Sequence, residues 1–159
     1  MKIRIAKKSE ISDIIPLWKK LMEHHRNLAK DNKKDFYELL PKSELKWKQW
    51  AIREIEKKNA IIFIAIEKKK IIGYSLNIIK KNIPIFKIKK LGHFSDLYIE
   101  PEYRSKGIGR KFMTLAMKWF KKKKIKYLSI AAHALNPNAA RIYRKFGFID
   151  FHIEMRMKL

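Results

Sequence analysis

Cysteine is absent from this 159-residue chain. Its absence excludes disulfides, thiolate metal sites and a covalent acyl-enzyme on sulfur. Acidic residues are scarce: 15 Asp and Glu stand against 39 Lys and Arg, a formal net charge of +24. No apolar run approaches membrane-spanning length, and the start Met1-Lys2-Ile3-Arg4 lacks the apolar core of a signal peptide. The expected setting is cytoplasmic, with no membrane partner. Neither repeats nor a linker-like stretch interrupt the chain, so residues 1–159 are expected to form one domain. With 47% hydrophobic residues the composition is too apolar for disorder.

The excess positive charge has two readings. One is a surface for nucleic acid or an acidic partner. The other is a general bias toward lysine and isoleucine, with lysine tracts as solvated faces. Lys68-Lys69-Lys70, Lys80-Lys81 and the lysines of 121–124 fall at expected turns or helix ends. They form no interleaved aromatic-basic segment, which favours the second reading and leaves nucleic acid a secondary expectation.

Hydrophobic periodicity supplies the elements. Ile3 and Ile5 alternate in a first strand. A helix over about 13–29, capped by Ser9 or Ser12, carries Ile14, Leu17, Trp18, Leu21 and Met22, with Pro16 tolerable near its first turn. His24 and His25 are adjacent, so they point apart and make no metal pair; no metal site is expected. After a connection containing Phe36 and Tyr37, a second helix over about 43–58 carries Trp47 and Trp50. The apolar run 60–66 reads as a strand buried on both faces. It turns at 67–70 into a partner over 71–79, and a further strand over 91–99 follows. A helix beyond Gly109, a strand over 127–132, a short helix from Asn136 and an alternating tail read as a last half-buried strand complete the series.

The stretch Glu100-Pro101-Glu102-Tyr103-Arg104-Ser105-Lys106-Gly107-Ile108-Gly109-Arg110 stands out. Proline ends the strand at Ile99, and Gly107 and Gly109 open the next helix. A helix N-terminus has backbone N–H groups without partners and a partial positive charge, which suits a phosphate. The glycines allow a sharp turn and close approach. A Walker-type loop is excluded by the glycine spacing, and a dinucleotide fingerprint lacks its third glycine because position 112 is Phe. For this hexapeptide alone, an ordinary glycine turn is an equal reading.

A second stretch, Asn136-Pro137-Asn138-Ala139-Ala140-Arg141-Ile142-Tyr143-Arg144-Lys145-Phe146-Gly147-Phe148, follows a strand. Together the two resemble the GNAT superfamily of acetyl-CoA-dependent N-acetyltransferases. The family's Arg/Gln-x-x-Gly-x-Gly/Ala loop and its later Asn-x-x-Ala-x-x-x-Tyr-x-x-x-Gly-Phe pattern are both complete. The resemblance implies an α/β (α+β) fold: a mixed, largely antiparallel sheet with helices on both faces, in the order β-α-α-β-β-β-α-β-α-β. It also implies transfer of an acetyl group from acetyl-CoA (coenzyme A) to a primary amine of a small molecule or protein. Arg104, Ser105, Lys106, Gly107, Ile108, Gly109 and Arg110 would then hold the pyrophosphate. Leu97, Tyr98 and Ile99 would align the pantetheine on a strand that splays from 127–132. Asn136, Ala139 and Tyr143 would lie beside the thioester, with Tyr143 as general acid. Phe36, Tyr37, Trp47 and Trp50 would line the acceptor wall. Many relatives dimerise, so a homodimer is also an expectation.

The general base is open between Asp96 and, more remotely, Glu100. Strict alternation places Asp96 on the face opposite Leu97 and Ile99, and His93 and Ser95 on the face of Leu97. A carboxylate inside an apolar strand needs a partner or a function. The alternative to an enzyme is a non-catalytic binding module that uses its basic surface on nucleic acid or an acidic partner.

Overall fold

A computed structural model describes residues 1–29 and 31–159. Five strands form one sheet in spatial order β1-β2-β3-β4-β5: β1 is Lys2–Ile5, β2 Ala60–Glu67, β3 Lys70–Lys81, β4 Lys90–Ile99 and β5 Leu128–Ile130. The first four pair antiparallel and β5 joins β4 in parallel. Helices α1 (Ile11–Leu28) and α2 (Ser43–Glu56) follow β1, α3 (Ile108–Lys122) follows β4, and α4 (Pro137–Lys145) follows β5. The fold class and the order through α4 match the expectation from sequence.

The sheet separates two apolar cores, and β2 shows why. Its even residues Ala60, Ile62 and Ile64 pack under α1 and α2 with Ile14, Leu17, Trp18 and Ala51. Its odd residues Ile61, Phe63 and Ala65 pack under α3 with Phe112, Met113, Ala116 and Phe120. An unbroken apolar strand is what a position covered on both sides requires. Trp18 stacks on Trp47 at 5.5 Å, joining α1 to α2, a contact of the kind that adds about 1 kcal/mol beyond area burial.

Several local expectations are corrected. Glu10 precedes α1, and neither Ser9 nor Ser12 caps it. The Glu10 carboxylate is instead held by both Arg4 nitrogens at 2.6 and 2.7 Å. That pairing, with the Lys7 N–H, lowers its pKa to about 2. Because the helix starts at Ile11, Pro16 lies inside it rather than in its first turn. Pro16 and Ser12 both face solvent, so the Ser12 carbonyl that loses its helical donor is open to water.

The alternating tail over residues 149–159 carries no strand and is exposed throughout. Its pattern is that of a strand, but a strand forms only where a neighbour supplies backbone partners.

The β2–β3 hairpin turns on Lys68 and Lys69, with φ of 46° and 65°. These left-handed positions make the two-residue turn whose twist matches the strands, normally the place of Asn-Gly. A Lys68→Asn, Lys69→Gly variant is expected to gain about 1 kcal/mol of stability. Thermal or denaturant unfolding checks this; an unchanged or lowered midpoint contradicts it.

Candidate active site

The site begins where β4 and β5 part. Their parallel register covers Gly92 with Leu128, His93 with Ser129 and Phe94 with Ile130, and then stops. Beyond Phe94, β4 continues to Ile99 with no strand on that side among the described residues, leaving one edge of 95–99 open. The junction is tight. A Cβ at Gly92 would fall 2.7 Å from both Phe120 and Leu128 side chains. His93 Nδ1 lies 2.9 Å from Ser129 Oγ, fastening the two strands at the mouth of the splay.

A bulge sits at the same place. On the β3 side Leu76 opposes Asp96 and Asn77 opposes Phe94, so Ser95 has no opposite residue. One extra residue reverses the facing of everything before it. Phe94 therefore joins Leu97 and Ile99 in the α3 core. His93, whose ring meets Ser129, faces away from Leu97, contrary to the expectation from alternation. Burial, helped by Lys80, pushes the His93 pKa down to about 4, so its ring is neutral across the physiological range.

Asp96 lies on the α1–α2 face, as alternation with Leu97 predicts. Its carboxylate accepts from the Tyr74 hydroxyl and from Ser95 Oγ, each at 3.1 Å, and the Trp47 indole also donates to it. Burial raises the Asp96 pKa above the usual carboxylate range, and the three donors only partly offset this. The Tyr74 phenol is driven up by burial and by the Asp96 charge, so it remains a donor. Tyr74 stands in an apolar strand with no local signal of this role; only the β3–β4 register reveals it. Glu100, the second carboxylate candidate, is buried and committed: Lys20 pairs with it at 2.6 Å and the Tyr98 hydroxyl donates at 3.4 Å.

The loop after β4 is built from left-handed residues. Ser105 has φ 61° and Gly107, which precedes α3, has φ 77°. Backbone turns of this kind gather N–H groups into a concavity that accepts anions. Arg104 folds back, its Nε donating to the Ile99 carbonyl at 2.9 Å with the guanidinium 5.7 Å from the Tyr98 ring. Lys106 lies 5.0 Å from the Tyr103 ring, and Arg110 lies 5.7 Å from the Phe146 ring, tying α3 to the end of α4. Ile108 is buried in the α3 core. A Cβ at Gly109 would lie 3.6 Å from the Ile99 side chain and 3.9 Å from that of Leu97.

Asn136 caps α4 as its residue type predicts, accepting from the Ala139 N–H at 3.1 Å. Tyr143, two turns on, is partly buried in the α3 core, edge-on to Phe148 at 6.5 Å. Its hydroxyl has no hydrogen-bond partner among the described residues, and burial raises its pKa. Of the four acceptor-wall candidates, Phe36 is partly exposed and Tyr37 stacks on His25 at 5.8 Å. Tyr37 also lies 5.8 Å from His133, in the segment leading to α4. Trp47 and Trp50 pack into the α1–α2 core. The Tyr37–His133 contact, which joins the two sides of the opening, had no signature in the sequence. Among the described residues, no cluster of His, Asp or Glu could hold a metal ion.

The family model described as the acetyltransferase (GNAT) family matches residues 18–148. An uncharacterized N-acetyltransferase of Methanocaldococcus jannaschii is 23% identical over 136 residues, covering 77% of this chain. The chain spans 59% of that relative's length. Among solved structures, a predicted acetyltransferase with acetyl-CoA from Clostridium acetobutylicum superposes with a TM-score of 0.79 at 18% identity, covering 99% of this chain and 95% of its own. An aminoglycoside 6'-N-acetyltransferase from Acinetobacter haemolyticus gives 0.73 at 18% identity, covering 100% and 98%.

The two loop glycines separate conformation from contact. Gly107→Ala is expected to cost about 1 kcal/mol, because a Cβ is strained at its φ of 77°. Gly109→Ala is expected to change stability by less than about 0.5 kcal/mol, since its Cβ would meet Ile99 at an ordinary 3.6 Å. Thermal denaturation of the two variants checks the contrast.

Proposed function

The chain belongs to the acetyltransferase (GNAT) family, and on that premise we propose that it is an acetyl-CoA-dependent N-acetyltransferase acting on a primary amine by direct attack. The observation that carries this reading is the parting of β4 from β5 beside the left-handed loop of α3. An extended donor bearing a pyrophosphate needs both features: free strand-edge groups to align against, and a helix N-terminus to take its charge. The open edge at Leu97, Tyr98 and Ile99 would hold the pantetheine arm. Arg104, Ser105, Lys106, Gly107, Ile108, Gly109 and Arg110 would hold the pyrophosphate, with Asn136, Ala139 and Tyr143 beside the reacting end. When bound, acetyl-CoA supplies the thioester carbonyl that the amine attacks.

Asp96 is the general base of this proposal. A carboxylate lifted above its ordinary range is better matched to an amine proton. Tyr74, Trp47 and Ser95 fix its orientation. Tyr143 sits on the opposite face of the sheet with its phenol protonated and unengaged, and in this reading it would donate to the departing sulfur. A base on the α1–α2 face and an acid on the α4 face support entry of the amine past Phe36 and Tyr37. With no cysteine in the chain, a direct transfer needs no acyl-enzyme on sulfur. The field of a +24 chain draws in the anionic cofactor and favours acceptors that carry a carboxylate or phosphate. No helix among the described residues is long and apolar enough to cross a membrane; a cytoplasmic setting is part of the proposal.

Isothermal titration of acetyl-CoA into the chain and into a Gly109→Asp variant tests the cofactor site. Micromolar binding, weakened at least roughly tenfold by a carboxylate at the helix N-terminus, is expected. No binding by the folded chain at low salt overturns the reading.

The base is tested by pH. Only ionised Asp96 accepts a proton, so kcat/KM is expected to rise with pH through a pKa above the usual carboxylate range. Asp96→Asn should remove that limb and lower kcat by about 10²–10⁴. It should not lower the melting temperature, because ionising a group whose folded pKa is raised works against the fold. A profile unchanged in Asp96→Asn would sink the assignment.

A further inference from the structure

The connection between β3 and β4 carries residues that a turn ordinarily avoids. The Phe86 N–H donates to the Ile83 carbonyl at 3.1 Å, closing a four-residue turn with Pro84 in its second place. Exposed turns usually hold Asn, Asp, Gly or Ser. Here the other three members are large and apolar, and all stand in water: Ile85 is 82% exposed, Ile83 58% and Phe86 49%. The loop beneath them is held in place. The Asn82 N–H donates to the Lys89 carbonyl and the Asn82 side-chain amide to the Ile88 carbonyl, each at 2.9 Å. Lys89 Nζ crosses to the Pro84 carbonyl at 2.8 Å. A fixed apolar tip inside a polar rim marks an interaction surface.

The rim is cationic. Lys80, Lys81, Lys87, Lys89 and Lys90 flank the tip and are exposed, and the sequence has no acidic residue between Glu67 and Asp96. Lys81 lies directly opposite Lys90 on the paired strands, a like-charge pair that costs stability and is relieved by an anion. The topology brings further lysines to the same end of the sheet. Both β2 and β5 begin there, with Ala60 opposite Ile78 and Leu128 opposite Gly92. The segments leading into them supply Lys57 and Lys58 from the end of α2 and the lysines of 121–124 from the end of α3. Glu54 and Glu56 in the last turn of α2 are paired with Lys57 and Lys8. Tracts scattered in the sequence therefore share one end of the fold. The candidate active site lies at the other, because the ten residues of β4 set Lys90 and Ile99 about 30 Å apart.

We propose that this end of the molecule docks on an anionic lipid bilayer, with Ile83, Ile85 and Phe86 entering the headgroup–acyl boundary and the lysines meeting lipid phosphates. Two isoleucines and a phenylalanine at a tip need hydrocarbon. Nucleic acid is gripped by stacking faces, which isoleucine lacks. Protein interfaces are depleted of lysine, and the cations flanking the tip are all lysine. A lysine stem lies along apolar surface while its ammonium reaches the headgroups. A second copy would set two cationic ends face to face, which is repulsive. The loop is far too short to span a bilayer, so the contact is peripheral. The sequence expectation of no membrane partner fails here because the lysine tracts form one face only after folding. Docking turns the opening between β4 and β5 away from the lipid, and it does not depend on the chemistry proposed there.

The test uses the full chain and vesicles of phosphatidylcholine, with or without phosphatidylglycerol. Because the chain has no cysteine, Ile85→Cys carries a polarity-sensitive dye at one place. Its emission is expected to shift to the blue on the mixed vesicles and to stay unchanged with heparin, an anion without hydrocarbon. The same dye at Phe151→Cys, similarly exposed in the tail, should not shift. Co-sedimentation with the mixed vesicles at physiological salt measures binding. Ile85→Ser with Phe86→Ser keeps the charge and should weaken binding at least about tenfold. Lys81→Ser with Lys87→Ser should do the same. Lys2→Ser with Lys69→Ser removes equal charge from the opposite end and should weaken binding less than about threefold. All of these side chains are exposed, so melting temperatures measured alongside should be no lower. Absence of binding to the mixed vesicles, indifference to the apolar pair, equal losses in the two lysine pairs, or a blue shift with heparin overturns the proposal. In those cases the tip serves a protein or nucleic acid, or the lysines act only as a general field.

Discussion

The structure turns on the early end of one strand pairing. Strands β4 and β5 share three paired residues, and the packing of Phe120 and Leu128 over Gly92 locks them together there. The imidazole of His93, kept neutral by burial, bridges to Ser129 at the middle of the three pairs. Past that point the right-handed twist and the Ser95 bulge carry β4 away from its neighbour. The open edge follows from that separation, and the reversed facing of His93 follows from the bulge.

Because the sheet has a core on each face, it can hold two ionisable groups in different environments. Asp96 is enclosed on the α1–α2 side, where burial opposes its charge and three donors hold it in place. Tyr143 is on the α3 side, where burial opposes loss of its proton. In the proposed transfer these two groups would serve as base and acid on opposite sides of one opening, the separation that proton transfer in two directions calls for. Glu100 shows the contrast: its ion pair to Lys20 gives it a structural task, tying α1 to the end of β4.

The lysine excess has a structural component. Among the described residues with positive φ other than glycine, Lys42, Lys58, Lys68, Lys69 and Lys124 outnumber the single serine, Ser105. These are turn and helix-end positions where glycine or asparagine is the usual choice. The chain has five glycines in all and accepts local strain at exposed turns in exchange for charge. Cations spread in this way raise the potential of the whole surface rather than building one nucleic-acid track.

How much was legible in the sequence depends on how far apart the interacting residues lie. Helix and strand periods, the Asn136 cap and the turn-forming Gly107 are properties of neighbours, and so are both halves of the GNAT pattern. They were readable because local backbone geometry is set by a few adjacent side chains. The two-faced burial of β2 was readable because its apolar run is unbroken. The facing of His93 was not, since one unpaired residue at Ser95 inverts it without any compositional trace. Nor were the Tyr74 and Trp47 donors to Asp96, or the Tyr37–His133 contact, because each joins elements whose register is settled only when the sheet closes. The tail carried a clear strand pattern, yet a pattern states only which side chains would share a face. Whether a strand forms depends on a partner for its backbone, and among the described residues no strand pairs with the tail.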